Sequence, residues 1–298
     1  MKKKIYLHLS GGIGNQLFQY AAAKNLSLIN NTDLVLDTFT GFVTDFKFKR
    51  KFSLNHVDFK KVKFAKVFLF AIFRLIKKIF FMKRLFYQFF GNKLIDEYYY
   101  FEKFHTEIKN LKFKKNLYML GLFQSEKYFY DNKNIIIKEI LPKEPKDSNY
   151  RDQVSSIDNN AIAICVRAFE DLPINLSHTV GGLTEYSFFE NSLKIFLDKI
   201  DKPKLYFFST NQKNIFSVIN NIKLFEKYEK KIITKETGFK NDINTLWLIS
   251  NFKNLIISNS TFYWWGAYFA CSRYDNTQVI SASQFPNKDT NLKSWTIT

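Results

Sequence analysis

Near the start of the chain the apolar positions change their spacing. Residues 4–9 read KIYLHL, a short run compact enough for a buried strand, and Ser10-Gly11-Gly12-Ile13-Gly14 then breaks it. Over 15–29 (NQLFQYAAAKNLSLI), Leu17, Tyr20, Ala21 and Lys24 follow at three- and four-residue steps, the spacing of one helix face. Residues 35–37 supply a second strand. Strand, glycine turn, helix and strand in that order open a βαβ unit.

Further on, residues 59–90 mix basic and aromatic side chains. Phe68, Ile72, Leu75, Ile79, Met82 and Phe86 recur at helical spacing, with Lys77, Lys78, Lys83 and Arg84 between them. That pattern predicts an amphipathic helix, packed on a core or resting on anionic lipid. Residues 116–123 (NLYMLGLF) predict a strand, and the proline-bearing stretch 142–149 has linker character. The second half alternates. Strands are expected at 161–166, 205–209, 232–234 and 255–258, and helices at 186–200, 244–252 and from 261 to 270. Such alternation predicts an α/β protein with mostly parallel sheets, divided into domains at 1–150 and 151–298.

Composition narrows the class. At 298 residues and 46% hydrophobic, the chain can bury two cores, which excludes disorder. The 34 Phe residues run through the whole chain and read as a compositional bias. The net charge of +18 is uneven: residues 1–150 carry 28 basic and 13 acidic side chains, residues 151–298 carry 17 and 14. Residues 47–90 alone hold 13 basic side chains against Asp58. A cluster of that kind favours an anionic partner: nucleic acid, a membrane surface or a phosphate-bearing substrate. Two cysteines, Cys165 and Cys271, make no disulfide framework and suit a reducing compartment. The basic start, Met1-Lys2-Lys3-Lys4, is followed by no long apolar region, and the longest apolar run, 67–73, is too short to span a bilayer. A cytoplasmic protein is expected.

Three places can carry chemistry. The turn Gly11-Gly12-Ile13-Gly14-Asn15-Gln16 exposes main-chain N–H groups at a helix start, where anions or sugar oxygens bind, although it matches neither the dinucleotide fingerprint nor a P-loop. Arg167 ends a buried strand in the segment Cys165-Val166-Arg167-Ala168-Phe169-Glu170-Asp171. A guanidinium there suits a pyrophosphate, and Glu170 or Asp171 can act as base or hold Arg167. Ser258-Asn259-Ser260-Thr261 lies between a strand and a helix, a second phosphate cradle. Trp264 and Trp265 beyond it line a pocket or fill a core. The histidines His8, His56, His105 and His178 are scattered, so no metal site is expected.

Taken together, these motifs resemble family 11 glycosyltransferases, the alpha-1,2-fucosyltransferases. The family's opening pattern GGLGNQMFQYA stands here as GGIGNQLFQYA (11–21), and NSTFSWWGA stands as NSTFYWWGA (259–267). The segment TLWLISNFKNLIIS (245–258) follows the family's DLYLMSLCKHNIIA. The middle departs. HxRRxD reads Cys165-Val166-Arg167-Ala168-Phe169-Glu170, keeping only the first Arg, and the strand end FSDD reads Phe208-Ser209-Thr210-Asn211.

The resemblance implies a GT-B-like α/β fold, two Rossmann-type domains facing a central cleft, with the acceptor side in 1–150 and nucleotide-sugar binding in 151–298. It implies inverting, metal-independent transfer of L-fucose from GDP-fucose to a galactose hydroxyl of a surface glycan of O-antigen, lipopolysaccharide or capsule type, with no cofactor. Arg167, Glu170 and Asp171 are the expected catalytic residues. Gly12, Gly14, Asn15, Gln16, Arg167, Ser209, Asn259, Ser260 and Thr261 are the expected donor contacts. The partners are a nucleotide sugar, a glycan acceptor and an anionic inner membrane face met through 47–90, without nucleic acid. The alternatives are a GT-B transferase using another nucleotide sugar, and a non-catalytic basic protein binding membrane or nucleic acid.

Overall fold

A computed structural model describes residues 3–43, 45–46, 48–59, 62–65, 93–96, 108, 111–167, 184–285 and 287–298. The chain divides into two compact units, Met1–Ile140 and Leu141–Thr298.

The first unit is built on five parallel strands, β1 (Lys4–His8), β2 (Asp33–Asp37), β3 (Val62–Phe64), β4 (Lys93–Asp96) and β5 (Leu117–Leu120), in the order β3-β2-β1-β5-β4. The helix α1 (Ile13–Ile29) connects β1 to β2. Its buried positions run all the way round: Leu17, Phe18, Tyr20 and Ala21 to Ala23 are fully enclosed. Lys24, which the spacing places on the apolar face, is buried because it finds a partner. Its ammonium lies 2.8 Å from Glu139 of α3 (Lys133–Ile140), and the Tyr20 hydroxyl donates to the same carboxylate at 3.0 Å. Burial, then the Glu139 charge, pushes the Tyr20 phenol far above its usual value. A single turn, α2 (Thr40–Val43), follows β2. β3 falls inside the stretch 59–90, where the pattern predicts a helix. The helical spacing itself begins at Phe68, and residues 66–92 lie outside the described residues.

In the second unit six parallel strands, β6 (Ala161–Cys165), β7 (Lys204–Phe208), β8 (Lys230–Ile233), β9 (Asn254–Ile257), β10 (Gln278–Ser281) and β11 (Thr296–Ile297), lie in the order β11-β10-β9-β6-β7-β8. The chain winds outward from β6 through β8, returns to the middle at β9 and winds the other way. This is the doubly wound dinucleotide-fold order, and its direction reverses between β6 and β9. The helices are α4 (Ser148–Ser155), α5 (Tyr186–Leu197), α6 (Gln212–Asn221), α7 (Asp242–Ile249) and α8 (Thr261–Arg273). Three begin at side-chain caps, with Asp147 accepting from Asn149 N–H, Asn211 from Asn214 N–H and Asn241 from the N–H groups of Ile243 and Asn244. Such caps satisfy N–H groups that the first turn leaves unpaired.

Ile162, Ile164, Leu205, Phe207 and Ile256 fill one sheet face against Phe189, Leu193 and Phe196 of α5 and Ile215 of α6. Trp264 and Trp265 are fully buried, so they belong to the core. Trp264 stacks on Tyr268 at 4.7 Å, and its indole N–H donates to the Thr290 carbonyl at 2.8 Å. Among the described residues no helix is long and apolar enough to cross a membrane.

α7 and α8 pack at a glycine. A Cβ on Gly266 would sit 2.6 Å from Ile249 Cγ2. Gly266→Ala should therefore destabilise the protein by about 1–3 kcal/mol through overpacking, despite alanine's better helix propensity. Unfolding in urea measures it, and Ile249→Val in the same chain should recover part of the loss.

Candidate functional site

Ligands of doubly wound sheets bind beyond the carboxyl ends of the strands, where the winding reverses. In the second unit that place is the end of β6 beside the end of β9. The ladder continues past both strands: Ser258 N–H donates to the Cys165 carbonyl at 3.1 Å, and Val166 N–H donates to the Phe208 carbonyl at 2.8 Å. These bonds bring Val166-Arg167 and Ser258-Asn259-Ser260 together on one edge. Arg167 is half-buried there. The N-terminus of α8 opens on the same edge, capped by Ser260 without a side-chain hydrogen bond. A guanidinium and a helix N-terminus both favour anions. The Ser258 hydroxyl, completely buried, has no hydrogen-bond partner among the described residues.

Other candidates on this edge are engaged within the fold. The Ser209 hydroxyl donates to the Val166 carbonyl at 3.0 Å and accepts from Asn214 at 3.2 Å. Asn259 accepts from the Thr184 hydroxyl at 3.1 Å and donates to the Gln284 carbonyl at 3.3 Å. Both residues shape the edge, while Ser260 and Thr261 are half-buried at its rim. Glu170 and Asp171 lie outside the described residues. Cys165 is enclosed in the sheet, and burial pushes its thiol well up, which suits a core residue and not a nucleophile. Tyr263 is a member that the sequence reading passed over. From α8 its hydroxyl reaches the carbonyls of Val166 and Phe208, both at 3.3 Å, and so ties the ends of β6 and β7 to the helix.

The first unit has a corresponding edge after β1. Gly11 takes φ +78°, a left-handed conformation that glycine adopts without strain. Gly12 caps α1 with ordinary backbone angles, and a Cβ there would meet nothing within 4 Å. Gly14 is buried inside the first turn. Asn15 accepts from Gln124 at 2.9 Å. Gln16 is fully buried and braces two loops. Its amide donates to the carbonyls of Gly11 and Lys51, both at 2.9 Å, and its oxygen accepts from Ser53 N–H at 2.9 Å. Gln19 does the same on the other side, accepting from Ser10 N–H at 3.0 Å and donating to the Gly121 carbonyl at 2.9 Å. Within this unit, then, Gly12 borders open space and Gln16 acts as a brace.

A further clamp holds the root of the turn. Asp37 accepts from the N–H groups of Phe39 at 3.0 Å and Thr40 at 2.9 Å, and His8 Nδ1 lies 3.6 Å from its second oxygen. Burial pushes the Asp37 carboxyl up, but the His8 ring, the Thr40 side chain and those N–H groups outweigh it and hold the group below its usual range. Gly41 packs on the main chain of Leu9 and Ser10, where a side chain would collide with the Leu9 carbonyl. Among the described residues no group of three or more His, Cys, Asp or Glu side chains is arranged to hold a metal ion.

Two outcomes are expected. Gly12→Ala meets neither strain nor a clash, so its melting temperature should match the parent's. If the space beside Gly12 receives substrate, kcat/KM should fall by about tenfold or more, the scale of one displaced contact. Unchanged kinetics would remove Gly12 from the site. Asp37, with its folded pKa lowered, contributes stability above its unfolded value of about 4, and that contribution is lost as the pH falls through the folded value. Asp37→Asn should flatten this part of the acid limb in thermal melts, and an unchanged limb would exclude the clamp.

The sequence matches the family described as Glycosyl transferase family 11 over residues 4–297. An alpha-1,2-colitosyltransferase of Escherichia coli is 25% identical over 278 residues, 89% of this chain and 87% of the relative. The O-antigen biosynthesis glycosyltransferase WbnK of the same species is 25% identical over 289 residues, 93% of each. Among solved structures, NodZ alpha-1,6-fucosyltransferase soaked with GDP-fucose superposes with a TM-score of 0.52 at 12% identity, over 90% of this chain and 93% of that one. Arabidopsis thaliana FUT1 in complex with GDP gives 0.51 at 13% identity, over 90% and 68%. These likenesses carry the fold, α/β with parallel sheets and of GT-B type. The chain is a glycosyltransferase and belongs to glycosyl transferase family 11.

Proposed function

We propose that this enzyme transfers L-fucose from GDP-fucose to the 2-hydroxyl of a galactose in a surface glycan of the O-antigen type, in the cytoplasm, with inversion and without a metal ion. The observation that carries the donor half is the meeting of Arg167, the buried Ser258 hydroxyl and the α8 N-terminus where β6 and β9 part.

In this reading the acceptor oxygen attacks C1 of the sugar as the C1–O bond to the diphosphate breaks. The bonding electrons leave with the phosphate oxygen, so negative charge grows there as the sugar becomes oxocarbenium-like. Arg167 and the first N–H groups of α8 stabilise that charge in place of a metal ion. The acceptor proton passes to a carboxylate, for which Glu170 and Asp171 are the candidates. Ser260 and Thr261 contact the donor directly, and Ser209 and Asn259 hold the edge they stand on.

The second reading keeps the chemistry and changes the sugar. The colitosyltransferase relative, together with the departures at Cys165, Thr210 and Asn211, favours testing a colitose donor beside fucose. Colitose lacks the 3-hydroxyl of fucose, so a pocket that hydrogen-bonds this hydroxyl would separate the two by a large factor.

Purified enzyme with both nucleotide sugars and a panel of galactose-ended acceptors decides between them, with the product linkage read by NMR. Turnover with GDP-fucose giving an alpha-1,2 product is the expected result, and turnover only with the other donor would sink the fucosyl assignment. Activity should survive EDTA. Arg167→Ala should lower kcat by about 100-fold, the scale of one charge-stabilising donor, and Arg167→Lys should recover little because a point charge cannot fork across two oxygens. Near-normal kinetics in both variants would make Arg167 a structural residue.

A further inference from the structure

We propose that residues 39–43, 45–46 and 48–51 of the first unit form a docking surface for an anionic lipid bilayer. This goes beyond the transfer reaction and stands without it.

The loop leaves β2 and returns to the first turn of α1, and it is pinned at both ends. Asp37 holds the N–H groups of Phe39 and Thr40. Gln16 holds the Lys51 carbonyl and Ser53 N–H. Between the pins, Asp45 accepts from the N–H groups of Phe48 at 3.1 Å and Arg50 at 3.3 Å, which fixes the tip.

Three apolar side chains of this segment are exposed. Phe46 is 82% exposed, Val43 50% and Phe39 47%. Phe46 is the most exposed large hydrophobic among the described residues, and the three share one short segment. The cations follow directly: Lys49 and Lys51 are exposed, and the Arg50 guanidinium lies 4.3 Å from the centre of the Phe48 ring.

Aromatic and aliphatic tips beside Lys and Arg suit a headgroup region, where the tips enter the acyl boundary and the cations meet anionic lipid. The charge of the surrounding sequence, 13 basic side chains against one acid over 47–90, is complementary to such a surface. A polyanion such as nucleic acid would satisfy the cations but leave Phe39 and Val43 in water, so the lipid surface fits better. α2 packs through Gly41 on Leu9 and Ser10, at the root of the glycine turn, so the docked loop would hold that turn close to the membrane.

The full chain should sediment with vesicles of phosphatidylcholine and phosphatidylglycerol at low salt, be released at high salt, and stay in solution with phosphatidylcholine alone. Phe46→Asp should weaken vesicle binding by about tenfold or more, and charge reversal at Lys49, Arg50 and Lys51 together should do at least as much. Phe46→Ser is the milder test if aspartate disturbs the loop. Phe216→Asp, at an exposed aromatic of the other unit, should change nothing. Failure of the parent protein to sediment would overturn the proposal. So would undiminished binding by both Phe46 variants, or release of the parent from vesicles by an oligonucleotide that binds the Phe46 variants equally well. None of these readouts depends on donor, acceptor or turnover.

Discussion

The hydrogen bond from Ser258 N–H to the Cys165 carbonyl joins the two halves of the second sheet where their winding reverses. β6 and β9 are paired up to Cys165 and Ile257, and this bond carries the pairing one residue further, to Ser258, beside the segment that holds Arg167. In doubly wound sheets the connections on either side of such a point run off in opposite directions, and ligands bind beyond the strand ends there. Tyr263 reinforces the join from α8 by reaching carbonyls of both β6 and β7 ends.

Much of this layout was legible in the chain. Apolar runs such as 161–166 and 205–209 read as strands, and the strands observed there match within a residue at each end. Short edge elements were harder to read. β11 is two exposed residues, and β3 has an exposed Lys63 and Phe64, so neither carries the hydrophobic pattern that marks an interior strand. α6 was also missed, although its cap Asn211 and its buried Ile215, Val218 and Ile219 follow helical spacing.

The site was legible in part, and for a physical reason. Glycine turns and strand-end arginines announce themselves because few other contexts need them. Braces do not. Gln16 and Gln19 act through long-range contacts with Lys51, Ser53 and Gly121, and no local pattern reveals which amide a buried glutamine will meet. Gln16, an expected donor contact, makes three hydrogen bonds within the protein that its sequence neighbours do not announce. Lys24 is the same lesson from the other direction, since its place on an apolar face makes sense only once Glu139 arrives from α3.

The enclosure of Cys165 bears on how such an enzyme diverges. The family's pattern has histidine at this position, and here the side chain lies wholly inside the sheet, with its thiol kept protonated by burial. A substitution at such a place is felt first as a change in packing volume and in the polarity of the sheet's end, and only through them by a substrate. Arg167, two residues on, is beyond the core and keeps its type. With Arg167 in the proposed donor role, drift inside the strand would alter the end of the sheet while the charge at Arg167 is kept, so sugar preference could change in this fold without the catalytic step having to be invented again.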